Sequence, residues 1–399
     1  PGAPPDIVVI ILDAARADRF SCYGYERQTT PNIDRLAAES LVFQRVFALA
    51  PYTLCSVPTM VTGLSFLDHG VVAHGDRLSA EATTLAEHLK SAGYSTACVS
   101  ASPNNSRALG TDQGYDVFVE TWQVVPRARS ADPFLLSRLA LDWLAADHGP
   151  APIHLQLHYV PPHAPYAPPP EFDLFTDPAH RGRLDGGHVS INALDSGALE
   201  PRPAELAHIS ALYDGNLRTG DAAVAQVLEA LAKRSRWRDT VVLVTADHGE
   251  AFLEHGRMSH NSTVYDEMLH VPFVLRLPAG RRVSADLDRL ASLADIVPTL
   301  LALARAPADD LPDSLDLLAP VATGGRYLIA RTAGDPPLYA LRTSRWKLLF
   351  AGSGIGALFD LAKDPGEGRA LALQAPLVFS GLGQLLTERL SQPPRFAPA

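Results

Sequence analysis

With 399 residues, 47% of them hydrophobic and 20% charged, the chain can bury a sizeable core, as one large α/β domain with an appendage or as two domains. A formal net charge of -10, with both signs scattered and no like-charge block, argues against nucleic acid as an obligate partner, which would want a basic face. Cys22, Cys55 and Cys98 are too few for a disulfide framework, and no apolar stretch reaches the ~20 residues of a membrane span. The opening PGAPPD reads as a cut end, so a removed signal stays open, as does the choice between a reducing and an exported location.

The first predicted element, DIVVIILD (6–13), is a near-continuous β-branched run, the pattern of a strand buried on both faces of a parallel sheet. Helical patterns follow at 30–40 and at 83–94, the latter containing a glycine near its end. A short helix is expected over 56–62. STACVSAS (95–102) and PIHLQLHYV (152–160) read as further strands, the second running into the proline-rich loop PPHAPYAPPPEF (161–172). Residues 173–205 are polar and Gly/Pro-punctuated, which predicts a surface insertion. A helix over 220–235 precedes TVVLVTAD (240–247), which repeats the first strand's pattern. Strand and helix alternate throughout, so the expected fold is a doubly wound, mostly parallel sheet flanked by helices over residues 1–312. Beyond that, RYLIAR, YALRTSRWKLLF and ALFDLAKDP predict short strands of a small α+β subdomain over 313–399.

Both β-branched runs end on an aspartate at the carboxyl end of the strand, where open α/β sheets place their ligands. Asp13 ends one, and Asp247 with His248 ends the other. Two carboxylates and an imidazole suit a divalent cation with an open position. Strand-end aspartates also cap helices, but the Asp-His-Gly set beside a second strand-end acid favours the metal. Thr53 stands just before the helix expected at 56–62, as an N-cap or as a group placed where a helix start attracts an anion.

These segments together resemble the sulfatase family of the alkaline phosphatase superfamily, and more closely its formylglycine-free members. The resemblance rests on DAARADRFSCYGYERQTTPNIDRLAAES, APYTLCSVPTMVTG, HGVVAHG, LHYVPPHAPY, LYDGNLRTGD, TADHGEAFLEHG and SHNSTVYDEMLHVPF, in that order along the chain. LADIVPTLLALA and LRTSRWKLLF extend it towards the end. In formylglycine sulfatases the modified cysteine opens Cys-x-Pro-x-Arg, ten residues before the glycine of a closing Thr-Gly. Ten residues before Gly63 lies Thr53, not Cys55, and Val57 stands where that motif has its arginine. The resemblance therefore implies a threonine nucleophile, no formylglycine, and Cys55 as a buried apolar residue.

The same resemblance implies one divalent ion (Mn, Zn, Mg or Ca) held by Asp13, Thr53, Asp247 and His248. Ala14 replaces the second acid or amide usual in sulfatases, which favours a smaller ion such as Mn or Zn. Pro161-Pro162 replaces an Asp-Pro, which favours a single ion. His260 is implied as the leaving-group acid, and His74, His163 and Asn104 as substrate-binding residues, with Asn105 also within reach of the cleft. His69 and His255 are expected to fix loops, Arg16 to pair with Asp18 or a neighbour, and Lys347 to serve the fold; His158 is left open. The implied activity is hydrolysis or transfer of phosphate or phosphonate esters of a small molecule, lipid or glycan. Sulfate monoester hydrolysis is the runner-up, and a non-catalytic binding domain is the reading from another class.

Overall fold

The structure, a computed structural model, describes residues 3–321, 325–351, 356–371 and 374–398. Strand β1 (Asp6–Leu12) is buried at every residue, as its unbroken apolar run predicts for a strand that meets no water on either face. The sheet around it adds β2 (Leu41–Val42), β3 (Ser95–Ser100), β4 (Val117–Glu120), β5 (Ile153–Tyr159), β6 (Thr240–Ala246) and β7 (Phe273–Arg276). Their order across the sheet is β2-β7-β6-β1-β5-β3-β4. β4, β3, β5, β1 and β6 run parallel, whereas β7 is antiparallel to both its neighbours.

This order positions the site. The chain lays β3, β4 and β5 on one side of β1, then crosses through a long helix to lay β6 on the other. Leu12 pairs with Tyr159 of β5 and with Ala246 of β6, so the three strands end level. The residues that follow them emerge at one edge, in the crevice where connections leave in opposite directions.

Two helical groups flank the sheet. In one, α1 (Pro31–Ala37), α4 (Pro133–Leu144) and α6 (Pro203–Ala232) pack together; in the other, α2 (Thr53–Thr62), α3 (Leu85–Ser91) and α7 (Ile296–Ala304) do so. The helix expected over 220–235 is the second half of α6, which starts at Pro203. Gly215, inside its first half, masks it in the sequence. It is there for close packing, since a Cβ would stand 2.7 Å from the Pro168 ring. Residues 173–205 carry a helix of their own, α5 (His188–Asp195), whose Ile191 and Leu194 join Tyr166, Tyr213, Phe252 and Met258 in a second small core. None of the helices among the described residues is long and apolar enough to cross a membrane.

The chain then forms an antiparallel sheet of β8 (Leu328–Arg331), β9 (Leu338–Arg342), β10 (Trp346–Ala351) and β11 (Gly356–Asp360), with α8 (Pro376–Leu390) against β10. Lys347 of β10 is fully buried, its Nζ 2.7 Å from both Asp266 Oδ1 and Glu367 Oε1. Asp266 is also held by Arg342, 2.7 Å from its Oδ2. Removing one member of such a group leaves its partner's charge buried and unpaired. Lys347→Met should therefore destabilise the protein by about 3–5 kcal/mol in urea denaturation at pH 8. The loss should shrink at pH 5, where the stranded Glu367 carboxyl, pushed up by burial, can take up a proton. A loss below about 1 kcal/mol at pH 8 would contradict the buried-pair account.

Candidate active site

Asp13 and Asp247 stand side by side where β1 and β6 end, both buried. Asp247 Oδ1 accepts from the backbone N–H of Ala14 at 3.1 Å and of His248 at 3.0 Å, so its other oxygen is aimed inward. Burial, then the charge of Asp247, pushes the Asp13 carboxyl well above the ordinary range. Burial raises Asp247 too, but His248 and His158, with hydrogen bonds from the Ala14 N–H and Thr53, more than offset it, so Asp247 lies below that range. The two titrate as a unit, with Asp247 giving up its proton first.

His248 completes the set named from the sequence. Its Nδ1 lies 2.8 Å from the Gly249 carbonyl, which can only accept. The ring proton is therefore on Nδ1, and the Nε2 lone pair faces Asp13 Oδ1 and Asp247 Oδ2, each 3.6 Å away. Burial lowers its pKa to about 4, so the ring is neutral near pH 7. His158, near the end of β5, is the residue the sequence left open. Its Nε2 lies 3.7 Å from Asp13 Oδ2 and 3.9 Å from Asp247 Oδ2. Among the described residues, Asp13, His158 and Asp247 are the one group of three whose ligand atoms fall within 4.8 Å of one another. His158 Nδ1 meets the Asn105 amide nitrogen at 3.2 Å, and the Asn105 carbonyl accepts from Thr111 at 2.8 Å. With that amide end facing it, His158 carries its proton on Nε2; the reversed amide would free Nε2 as a ligand.

Asp13 Oδ1, Asp247 Oδ2 and His158 Nε2 are all buried without a hydrogen-bond partner. The two orphaned carboxylate oxygens, acceptors of one charge buried together, call for a cation. The separations of 3.6–3.9 Å lie a few tenths of an ångström above the ~3.0–3.5 Å at which ligand atoms ~2.1 Å from an ion stand at octahedral or tetrahedral angles, so a small inward shift would close the set around one. The residues present thus fit a divalent metal.

α2 starts at Thr53, three residues before the expected start at 56, so Thr53 is the first helical residue and not an N-cap. Its Oγ1 lies 3.2 Å from His248 Nε2. Ser56 Oγ donates to the Asp247 carbonyl at 2.5 Å and fastens the helix to the loop after β6. Cys55 faces the other way, fully buried in the main core, and burial pushes its thiol up to about 12.

A cleft of about 440 Å³ opens over Thr53 and Asp13. It is lined by His74, Asn104, His163 and His260, four residues named from the sequence, and by Ser102, which was not. Asn105 is turned away, buried against His158. The His260 ring lies 4.7 Å from that of His248 and 4.9 Å from that of His163, centroid to centroid. Its Nδ1 meets Glu250 Oε1 at 2.9 Å. Burial works to raise Glu250, and His260, with His163 and His248 behind it, more than offsets it, so the carboxyl lies below its ordinary range. Glu250 was also missed, although it directly follows the Asp-His-Gly set. His69 accepts from Val71 N–H and meets Thr59 Oγ1 at 3.1 Å, and burial lowers its pKa to about 3. It fixes the turn after α2. His255 stacks on Tyr265 and meets Glu267 at 2.8 Å. Arg16 grips Asp18 at 2.7 Å and the Glu250 carbonyl at 3.0 Å.

The Sulfatase family profile matches residues 5–306. The chain belongs to the sulfatase family. An arylsulfatase of Clostridium perfringens is 24% identical over 433 aligned positions, covering 91% of this chain and 89% of that protein. A solved 2-O GAG sulfatase superposes with a TM-score of 0.80 at 19% identity, covering 97% of this chain and 92% of that one. The phosphonate monoester hydrolase of Agrobacterium radiobacter does so with a TM-score of 0.76 at 21% identity, covering 96% and 95%. Sulfatase-family proteins are ester hydrolases that use a metal ion, and this sulfatase-family fold carries the central sheet, flanking helices and small C-terminal sheet expected from the sequence.

Asp247→Asn separates the metal from the fold. Asparagine keeps a carbonyl oxygen for the two backbone N–H groups and removes the repulsion against Asp13. The metal-free variant should melt no lower than metal-free wild type. Wild type should gain about 2.7 kcal/mol at a free metal concentration of about 100 Kd, and the variant should lose most of that gain. Equal metal-dependent shifts in calorimetry of the two proteins would contradict the assignment.

Proposed function

We propose that this sulfatase-family protein is a metal-dependent hydrolase or transferase of phosphate or phosphonate esters that carry a single negative charge, with Thr53 as nucleophile. The observation that carries the reading is the identity and placement of Thr53. A hydroxyl, not a thiol, opens α2 onto the cleft beside Asp13 and His248, while Cys55 points into the core. The charge of the cleft supports the ester class. Among the described residues its lining includes three histidines and no lysine or arginine. Two carboxylates balance one divalent cation, which leaves little positive charge for a doubly charged ester.

A divalent cation held by Asp13, Asp247 and His248, with His158 beside them, would lower the pKa of the Thr53 hydroxyl and attract the non-bridging oxygens of the ester. Thr53 Oγ1 attacks phosphorus in line, and the bond to the leaving oxygen breaks opposite it. The start of α2 and His74 meet the charge on the equatorial oxygens. His260 protonates the leaving oxygen. Water or an acceptor alcohol then takes the phosphoryl group from Thr53, and His163 and Asn104 hold the substrate at the mouth of the cleft.

Sulfate monoesters are the second reading, favoured by the likeness to an arylsulfatase. Against it, a sulfated threonine lacks the geminal hydroxyl through which formylglycine expels sulfate. In the test, Thr53→Ala should lower turnover of an aryl phosphodiester at least about a thousandfold. Cys55→Ser should keep most activity and cost about 1–3 kcal/mol of stability, because it buries a hydroxyl among apolar groups. Mass spectrometry of trapped enzyme should place the adduct on the Thr53 peptide. An aldehyde at Cys55, or activity that survives Thr53→Ala and dies with Cys55→Ser, would overturn the reading.

A further inference from the structure

The loop after β6 contains a buried acid that neither the metal set nor the nucleophile uses. Glu250 is fully buried, and among the described residues no lysine or arginine reaches its carboxylate. Its backbone is fixed at both ends, the N–H donating to the Glu267 carbonyl at 3.0 Å and the carbonyl accepting from Arg16 Nη1 at 3.0 Å. Oε1 meets His260 Nδ1 at 2.9 Å, and Oε2 has no hydrogen-bond partner. The buried Tyr166 hydroxyl also faces this carboxylate, and burial, then the charge of Glu250, pushes that hydroxyl well up. With no cation of its own, a carboxylate so buried is costly unless its contact with the His260 ring has a use.

The segment bearing His260 is shaped to make the contact. Ser259 and Asn261, on either side of it, have φ of 69° and 82°, a region that non-glycine residues rarely occupy. Asn261 is tied down on both sides, its N–H to the Pro51 carbonyl at 3.0 Å and its carbonyl to Ala333 N–H at 3.3 Å. This bent, anchored segment holds the ring against the cleft that Thr53 and Asp13 line. Local strain of this kind persists where surrounding structure imposes it, and it concentrates at functional sites.

We infer that Glu250 is a positioning residue for the leaving-group acid: it holds the proton of His260 on Nδ1 and so leaves Nε2 as the atom that exchanges protons with substrate. The inference rests on the proposed role of His260 as that acid. In the first half-reaction Thr53, having lost its hydroxyl proton to solvent, forms the Oγ1–P bond as the bond from phosphorus to the leaving oxygen breaks. The Nε2 proton passes to that oxygen. In the second, water forms the new P–O bond, the P–Oγ1 bond breaks, and Nε2 takes the proton from water. Glu250 accepts the Nδ1–H bond throughout and takes no proton, the division of labour found in carboxylate–imidazole pairs generally.

The test compares wild type, His260→Ala and Glu250→Gln on two phosphodiesters, one with a nitrophenyl and one with an alkyl leaving group, with metal content measured for each. Glu250→Gln should lower kcat for the alkyl ester about 10²-fold, at least about tenfold more than for the nitrophenyl ester, with KM and metal content little changed. Nitrogen-correlated NMR of neutral His260 should show the Nδ1–H tautomer in wild type and its loss in the variant. If His260→Ala shows the leaving-group bias and Glu250→Gln does not, Glu250 has no positioning role. If His260→Ala shows no bias, the acid assignment fails and this inference falls with it. Should Glu250→Gln fail to fold, the wild-type spectrum still decides, because an Nε2–H tautomer would overturn the inference.

Discussion

Two carboxylates buried side by side repel each other, and the site is organised around that repulsion. Asp13 and Asp247 are brought together because β1 and β6 are parallel neighbours ending in register, so the sheet places both acids at one edge whatever else the loops do. Both acids are almost wholly buried, and the charges are therefore poorly screened. The rings of His248 and His158 ease the charge on Asp247, but Asp13 stays pushed well up. A divalent cation would balance both, which makes metal binding and the local fold one problem.

The surroundings serve that centre. The Ser56–Asp247 hydrogen bond locks the start of α2 onto the loop that bears the metal-facing residues, so Thr53 has little freedom to wander from His248. Backbone strain gathers here as well. Ala14, Leu253, Ser259 and Asn261 all have positive φ, and all lie in the loops after β1 and β6. Ala14 is held in this conformation by its N–H to Asp247 and by Tyr213, which donates to its carbonyl at 2.8 Å. The cost of such conformations is local and is offset by the large core beneath.

Much of this was legible in the sequence, for physical reasons. A strand covered on both faces must be apolar throughout, so the aspartates closing 6–13 and 240–247 stand out, and parallel pairing makes them neighbours. Thr53 was singled out as nucleophile only through the likeness to the sulfatase motif, ten residues before the closing Thr-Gly, and it lines the cleft. Other features depend on contacts that no spacing rule encodes. His158 sits within a buried strand, where a histidine is as easily a core residue as a site residue; only its pairing opposite Ile11 turns it towards the acids. Glu250 matters because the chain folds back from 251 to 260 and returns His260 to it. The first half of α6 was hidden because Gly215 reads as a helix breaker when it is a packing contact.

The central claim is that one cation resolves the Asp13–Asp247 repulsion. Anomalous diffraction from crystals grown with manganese, recorded above its absorption edge, tests it most directly. The account predicts a single strong peak bounded by Asp13, Asp247 and His248, with Thr53 Oγ1 adjacent. The absence of a peak there, with both carboxylates still facing each other, would contradict it.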